Sequence, residues 1–272
     1  MSAAVRAGRG SRDAAGSPVG RALLQRGLSL AEWGNEGHTV LPCLKGPRQR
    51  EAFYDLLQSY SFRLFLRDIL VLRDRFLPER LGPFFTPESV ETMAGHAERL
   101  GLIRRGKGGK VRFLADGATD FGDTFEWFVA ETLRREFAAD ALWGVKLSGL
   151  PCGGDFDVLA LASGRLLYLE AKTSPPKHIE LSDMAAFLDR VGTLSPDFAV
   201  VLVDTHLRMK DKLVPLLSEA LRMTGEEDRE MTRIERETFS WDGRIFLTNA
   251  KRDVGGNLGV CLRSYFLDRF FG

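Results

Sequence analysis

Two short alternating segments joined by a small-residue turn constrain the fold of this chain most strongly. Polar and apolar side chains alternate along 155–161 and 165–172, and an Ala-Ser-Gly turn lies between them at 162–164. A period of two places successive side chains on opposite faces of a strand. The sequence therefore predicts a hairpin, and Glu170 and Lys172 then project from one face near the end of its second strand.

The residues around this hairpin alternate between helical and strand patterns. They predict helices at 120–137, 181–191, 208–223 and 257–270, and further strands at 142–148, 198–203 and 244–249. Alternating helices and strands are typical of an α/β domain with a mixed sheet. We therefore expect an α/β domain at 117–272, with helices flanking its sheet.

Two further regions precede this domain. Residues 1–45 are rich in Ala, Gly, Ser and Arg, and they predict a flexible or partly helical extension. Residues 46–116 show apolar residues at helical spacing, which predicts a small, mainly helical domain. Its last helix follows a Thr86 cap. One face of that helix is a stripe of apolar residues: Val90, Met93, Ala94, Ala97 and Leu100.

The charge of the chain limits how it can bind nucleic acid. The net charge is only +1 over 272 residues, so affinity for phosphates must come from local patches. One patch between 99 and 112 has six basic residues and no acid, namely Arg99, Arg104, Arg105, Lys107, Lys110 and Arg112. Lys177, after the hairpin, is a further candidate. Such a patch suits a phosphate backbone, and the alternative is packing against a neighbouring domain or partner protein.

Cysteine usage and hydropathy indicate the compartment. Cys43, Cys152 and Cys261 lie far apart and are odd in number, which argues against a disulfide framework. No apolar run approaches the roughly 20 residues that a membrane-spanning helix needs. We therefore expect a cytoplasmic protein that does not contact a membrane.

Two carboxylates and a lysine are expected to meet at one end of the hairpin. If its strands pair, Asp157 of the first strand comes near Glu170 and Lys172 of the second. Hard cations such as Mg²⁺ prefer carboxylate oxygens. A metal ion can activate water and polarise a phosphate, and a lysine can stabilise the developing charge. The group suits phosphodiester hydrolysis, and Asp155 either assists the metal or ends the strand.

The residues of this group resemble those of a known family. Asp157, followed after 12 residues by Glu170-Ala171-Lys172, is similar to the motif of the PD-(D/E)xK, or restriction-endonuclease-like, nuclease superfamily. The predicted order over 120–205 also resembles the αβββαβ core of that superfamily. Phe156 stands where that motif often has proline.

The resemblance implies a Mg²⁺-dependent nuclease in which Mn²⁺ substitutes. Asp157, Glu170 and the Ala171 carbonyl would hold the metal, and Lys172 would assist catalysis. Glu126, on the helix before the strands, corresponds to an additional catalytic carboxylate and metal ligand.

The small helical domain resembles a second family. The segment Ala-Glu-Arg-Leu-Gly-Leu-Ile-Arg-Arg at 97–105, followed by Gly-Lys-Gly-Gly at 106–109, is similar to the junction between the last helix and the wing of winged helix-turn-helix domains. This resemblance implies that the domain docks DNA or recruits a partner.

Together these features predict a metal-dependent nuclease that hydrolyses DNA, in prokaryotic defence or mobile-element processing. A protein partner or a homo-oligomer is possible. One alternative is a catalytically inactive nuclease fold that binds nucleic acid or serves as a scaffold. The other is a ribonuclease that is active within a larger assembly.

Overall fold

The computed structural model describes residues 16–73, 81, 85–106, 111–148, 150, 155–225 and 229–267. The chain forms two compact units, one of Met1–Gly34 with Val129–Gly272 and the other of Asn35–Phe128. In the described part of the chain, no helix has the length and apolar character to cross a membrane.

The larger unit contains a mixed eight-stranded sheet. Its strands, in the described residues, lie in the order β1-β4-β5-β6-β7-β10-β9-β8. Their bounds are Ser29–Glu32 (β1), Asp140–Ser148 (β4), Asp155–Ala162 (β5), Arg165–Lys172 (β6), Phe198–Val203 (β7), Thr232–Glu235 (β8), Thr238–Trp241 (β9) and Ile245–Asn249 (β10). Among the strands that the structure describes, the β6–β7 and β7–β10 pairs are parallel and the other pairs are antiparallel. The expected mixed α/β fold is confirmed.

Helices flank both faces of this sheet. One face packs against α1 (Pro18–Leu24), α6 (Leu181–Leu194) and α7 (Leu213–Met223) through an apolar core. Within that core, Tyr168 of β6 stacks on Phe187 of α6 with ring centres 5.6 Å apart. The opposite face holds α8 (Val254–Leu267), where Tyr265 stacks on Phe198 of β7 at 4.1 Å.

The strand predictions at 155–161, 165–172 and 198–203 agree with the structure to within one residue. The helix predicted at 208–223 begins later, at Leu213. The preceding segment forms turns, and the Met209 N–H donates to Glu237 Oε2 at 2.7 Å. The helix predicted at 257–270 begins earlier, at Val254, because Asp253 accepts the Gly256 N–H and caps it. Strands β8 and β9 were not predicted.

The described residues of the predicted N-terminal extension include regular secondary structure. Residues within the predicted extension form α1 and β1, and β1 pairs antiparallel with β4. Val19 and Leu23 of α1 are fully buried, and the Val19 N–H donates to Asp140 Oδ2 at 2.8 Å. This apolar burial offsets the entropic cost of ordering the segment. Residues 16–34 therefore belong to the larger unit.

In its described residues, the smaller unit contains three α-helices followed by a two-stranded sheet. The helices are α2 (Pro47–Leu57), α3 (Tyr60–Leu72) and α4 (Pro87–Arg99), and the strands are β2 (Ile103–Arg105) and β3 (Val111–Phe113). The predicted apolar stripe of α4 is buried, and Thr86 caps the helix by accepting the Ser89 N–H at 3.2 Å, as predicted. Helix α5 (Gly122–Phe137) starts in this unit and continues into the larger one.

Candidate active site

The hairpin turn between β5 and β6 determines which residues face each other. Ser163 and Gly164 both have positive φ angles, 47° and 75°, as a two-residue type I′ turn requires. The turn pairs Ala162 with Arg165, and the same register continues to Val158 and Leu169. Beyond this pair Asp157 Oδ2 accepts the Ala171 N–H, so the turn brings the two carboxylates to the same end of the hairpin.

Asp157 is held by the backbone of the neighbouring strand. Its Oδ2 accepts the Ala171 N–H at 2.7 Å, and its other oxygen accepts no hydrogen bond from the described residues. Burial, and secondly the charge of Glu170, raise the pKa of Asp157 to about 7. An acidic group in this environment gains from a nearby cation, because the cation stabilises its ionised form.

Glu170 is almost fully buried, with 2% of its side chain exposed, and it is surrounded by donors. Lys172 Nζ lies 2.9 Å from Oε1, and Arg190 Nη2 lies 2.9 Å from both carboxylate oxygens. The Tyr168 hydroxyl donates to Oε2. Burial alone would raise the pKa of Glu170, but Lys172 and Arg190 outweigh it and hold that pKa below its usual range. Glu170 is therefore a carboxylate in the folded chain.

Lys172 lies between two carboxylates. Its Nζ contacts Glu170 at 2.9 Å and Asp183 Oδ1, in the first turn of α6, at 3.3 Å. Burial lowers the pKa of Lys172, but Glu170 and then Asp183 raise it above its usual value overall. Asp183 also accepts the Glu180 N–H at 2.9 Å in a capping box, so the start of α6 fixes this second contact.

Three side chains around the predicted group were missed by sequence reasoning: Tyr168, Asp183 and Arg190. Tyr168 shares the face of Glu170 two residues earlier on β6, and Arg190 Nε donates to its hydroxyl at 2.8 Å. Asp183 and Arg190 are seven residues apart on α6, about two helical turns, so they lie on one face. The seven-residue spacing could have shown from the sequence that the two side chains share one face of the helix. It could not have shown that this face contacts β6.

The remaining residues predicted for the site are Glu126, Asp155 and Ala171. Glu126 lies on the part of α5 that belongs to the smaller unit and is half-buried. Asp155 is exposed at the start of β5. Ala171 contributes its N–H to Asp157, and the metal role of its carbonyl stays a prediction.

The predicted basic patch is only partly available to a ligand. Arg104 and Arg112 lie directly opposite each other on β2 and β3, and both are exposed. Arg105 forms ion pairs with Glu91 and, at 3.3 Å, with Glu98, and its contact with nucleic acid stays a prediction. The patch has no acid in sequence, yet α4 brings these two carboxylates to it.

The other predicted phosphate contacts are more dispersed. Arg99 Nη2 lies 2.9 Å from Nδ1 of His96, one turn earlier on α4. Lys177 is exposed in a short 3₁₀ turn after β6. Lys107 and Lys110 lie outside the described residues.

The carboxylates of the candidate site could offer a metal only a few protein ligands. The described residues hold no cluster of three or more Asp, Glu, His or Cys side chains arranged for a metal. Asp157 has one oxygen available, whereas both oxygens of Glu170 already accept hydrogen bonds. Mg²⁺ is usually bound by one or two carboxylates together with waters and substrate phosphates. Asp157 and Glu170 would be the protein ligands of a Mg²⁺ held in this sparse mode, and Glu170 would then have to exchange one of its hydrogen-bond donors for the metal.

Replacing Asp157 with asparagine should stabilise the metal-free protein at pH 8 and change little at pH 4. A folded-state pKa of about 7, against 3.8 for the ordinary group, means that ionisation weakens the fold progressively as pH rises between these values. The amide oxygen of asparagine can still accept the Ala171 N–H, but the side chain carries no negative charge. We expect a gain of at least about 1 kcal/mol at pH 8, or roughly 2–4 °C in Tm, measured by thermal unfolding in EDTA. An equal effect at both pH values would contradict this.

Known proteins resemble this chain in structure but not closely in sequence. No family model matches the chain, and no curated protein matches it. The protein VC1899 from Vibrio cholerae is similar over 84% of this chain, with 14% identity and a TM-score of 0.47. Can2 from Sulfobacillus thermosulfidooxidans, solved in complex with cyclic tetra-adenylate, is similar over 91% of this chain, with 14% identity and a TM-score of 0.48. The chain spans 57% and 60% of the lengths of these two proteins.

Proposed function

We propose that this protein is a Mg²⁺-dependent nuclease that hydrolyses DNA phosphodiester bonds. The observation that supports the proposal is the convergence of Asp157, Glu170 and Lys172, from two paired strands, at one end of the hairpin. These are the residues whose spacing resembles the PD-(D/E)xK motif. Prokaryotic defence or mobile-element processing is the biological setting that we propose from the same resemblance.

The side chains have separate roles in this proposal. Asp157 and Glu170 hold the metal, and the Ala171 carbonyl is a further ligand, whereas the ligand role of Glu126 stays a prediction of the family resemblance. Bound Mg²⁺ would supply a Lewis acid and an activated water. Lys172 is kept as an ammonium by Glu170 and Asp183, so it can stabilise negative charge on the phosphate as the bond breaks. Arg190 and Tyr168 hold the Glu170 carboxylate in place.

One observation favours the inactive alternative. The charge of Glu170 is already balanced by Lys172 and Arg190, and the Tyr168 hydroxyl donates to it as well. A buried carboxylate saturated in this way can be a purely structural group. In that case the nuclease fold would bind nucleic acid or serve as a scaffold without cleaving it.

A cleavage assay decides between these functions. Purified protein is incubated with supercoiled plasmid, single-stranded DNA and single-stranded RNA, each with Mg²⁺, Mn²⁺ or EDTA. We expect DNA cleavage with either metal and none with EDTA. Cleavage of RNA alone would make the protein a ribonuclease. Binding of DNA without cleavage of any substrate would favour the inactive module.

We also propose that the smaller unit is winged-helix-like and docks DNA through Arg104 and Arg112. Like charges directly opposite each other on paired strands are unfavourable without a counter-ion, and a phosphate supplies one. The same surface could instead recruit a protein partner or a second copy of the chain.

Replacing both Arg104 and Arg112 with alanine should flatten the salt dependence of duplex binding. The slope of log K against log salt should fall by roughly 2, because each phosphate contact to a duplex contributes about 0.9. Fluorescence anisotropy in EDTA over a salt series measures this slope. Arg48→Ala, an exposed arginine of α2, is the control and should leave it unchanged. Unchanged binding in the double variant would assign the surface to a protein contact.

A further inference from the structure

The parallel strands of the larger unit end at one edge of the sheet. Lys172 of β6 pairs with Val203 of β7, and Val203 pairs with Asn249 of β10. Asn249 is thus two strands away from Lys172, or about 10 Å at the usual strand spacing. Ligands of α/β sheets bind beyond the carboxyl ends of such strands. The end of β10 therefore lies on the same edge as the candidate active site.

A cavity of about 110 Å³ lies at this edge beside β10. It is lined by Arg236, Glu237, Asn249, Lys251, Arg252 and Asn257. A single water takes up only roughly 30 Å³ in the liquid, so the cavity has room for a phosphate group. Three of its six lining side chains are cationic and one is a carboxylate, which favours an anion.

The cavity wall next to β10 is held by buried amides. Asn257 is 7% exposed, and its Nδ2 donates to the carbonyls of Asn249 and Lys251 at 2.5 and 3.0 Å. The Asn249 Oδ1 accepts the Lys251 N–H at 3.1 Å, and its Nδ2 donates to the Leu207 carbonyl at 2.8 Å. These bonds fix the backbone from which the two basic residues Lys251 and Arg252 project.

The acidic and basic side chains of the cavity differ in how far other groups compensate their charge. The Glu237 carboxylate accepts the Met209 N–H at 2.7 Å and lies 3.4 Å from Arg233, so its charge is partly compensated. Lys251 and Arg252 are exposed, and neither forms an ion pair with any residue that the structure describes. The cavity thus presents two cationic side chains, Lys251 and Arg252, that have no ion-pair partner among the described residues.

We propose that this cavity binds a phosphate of the nucleic-acid strand, a few nucleotides from the scissile bond. The inference rests on the proposed function, because it takes the strand to pass along the edge from Lys172 to Lys251. One strand of a stacked helix carries a phosphate every 3.4 Å, so about 10 Å corresponds to roughly three nucleotides. The cavity would position the strand and would not contact the reacting atoms.

Binding of a single-stranded DNA of roughly ten nucleotides to the full chain in EDTA tests this site. The variants are Lys251→Ala and Arg252→Gly; Arg252 has a φ of 78°, which glycine adopts without strain. Each should weaken binding about fivefold at roughly 0.1 M salt and lower the salt slope by about 0.7, the contribution of one phosphate on a single strand. Arg222→Ala, in the last turn of α7, is the matched control and should do neither.

Several outcomes would overturn the proposal. One is equal affinity and slope in both cavity variants and the control, with thermal unfolding showing that all are folded; another is no binding by the wild-type chain. If inorganic phosphate raises Tm in the wild type only, while oligonucleotide affinity is unchanged, the cavity binds free phosphate instead. If the variants weaken binding but the wild type cleaves nothing with Mg²⁺, the phosphate site stands and the nuclease proposal fails.

Discussion

Replacing Glu170 with glutamine should reduce the rate of DNA cleavage at least about 100-fold. Glutamine keeps the size of the side chain but removes the charge that would hold a metal and keep Lys172 protonated. Loss of one group that stabilises the transition state typically costs about 10²–10³ in kcat. The measurement is single-turnover cleavage of a labelled DNA with Mg²⁺ at saturating protein.

The control for this variant is Glu219→Gln, an exposed carboxylate on α7, which should cleave at the wild-type rate. Lys172→Met should also lose activity, since it removes the cation next to the phosphate. Thermal unfolding must show that each variant is folded at the assay temperature. Wild-type cleavage by folded Glu170→Gln would refute the proposed site, whereas cleavage of RNA alone would change only the substrate.

The alignment of the two carboxylates could be predicted from sequence because local chemistry determines it. The Ser163-Gly164 turn favours positive φ angles and thereby sets the register of the hairpin. A slip of one residue would move every side chain of β6 to the other face. Once the register is fixed, Asp157 and Glu170 come to the same end of the hairpin with no information from distant residues.

The partners from α6 could not be predicted in the same way. Arg190 reaches Glu170 from 20 positions away in sequence, and nothing in the local pattern of α6 specifies where the helix docks on the sheet. Arg105 shows the same limit, because Glu91 and Glu98 approach it through the packing of α4. Strand β1 was missed since only its pairing with β4 makes a four-residue segment a strand. Long-range packing determines all three.

Replacing Arg190 with alanine should destabilise the larger unit by about 2–3 kcal/mol. Glu170 is 2% exposed, and losing one partner of a buried ion pair costs about 3–5 kcal/mol when no other partner remains. Lys172 remains 2.9 Å from Glu170, which reduces the expected loss. Chemical denaturation at pH 8 in EDTA measures the free energy of unfolding. The matched control is Arg135→Ala, which breaks a more exposed pair with Glu131 and should cost at most about 1 kcal/mol.

A double-mutant cycle shows whether the loss arises from the ion pair itself. In the Glu170→Gln background a neutral amide replaces the buried carboxylate, so Arg190→Ala should then cost less than about 1 kcal/mol. Equal losses in both backgrounds would instead mean that Arg190 acts mainly through Tyr168 or through packing of α6. The Mg²⁺ dependence of DNA cleavage separates a positioning role of Arg190 from a purely structural one. If Arg190 positions Glu170 for metal binding, Arg190→Ala should require more Mg²⁺ for half-maximal cleavage, whereas a purely structural arginine would leave that requirement unchanged in the folded fraction.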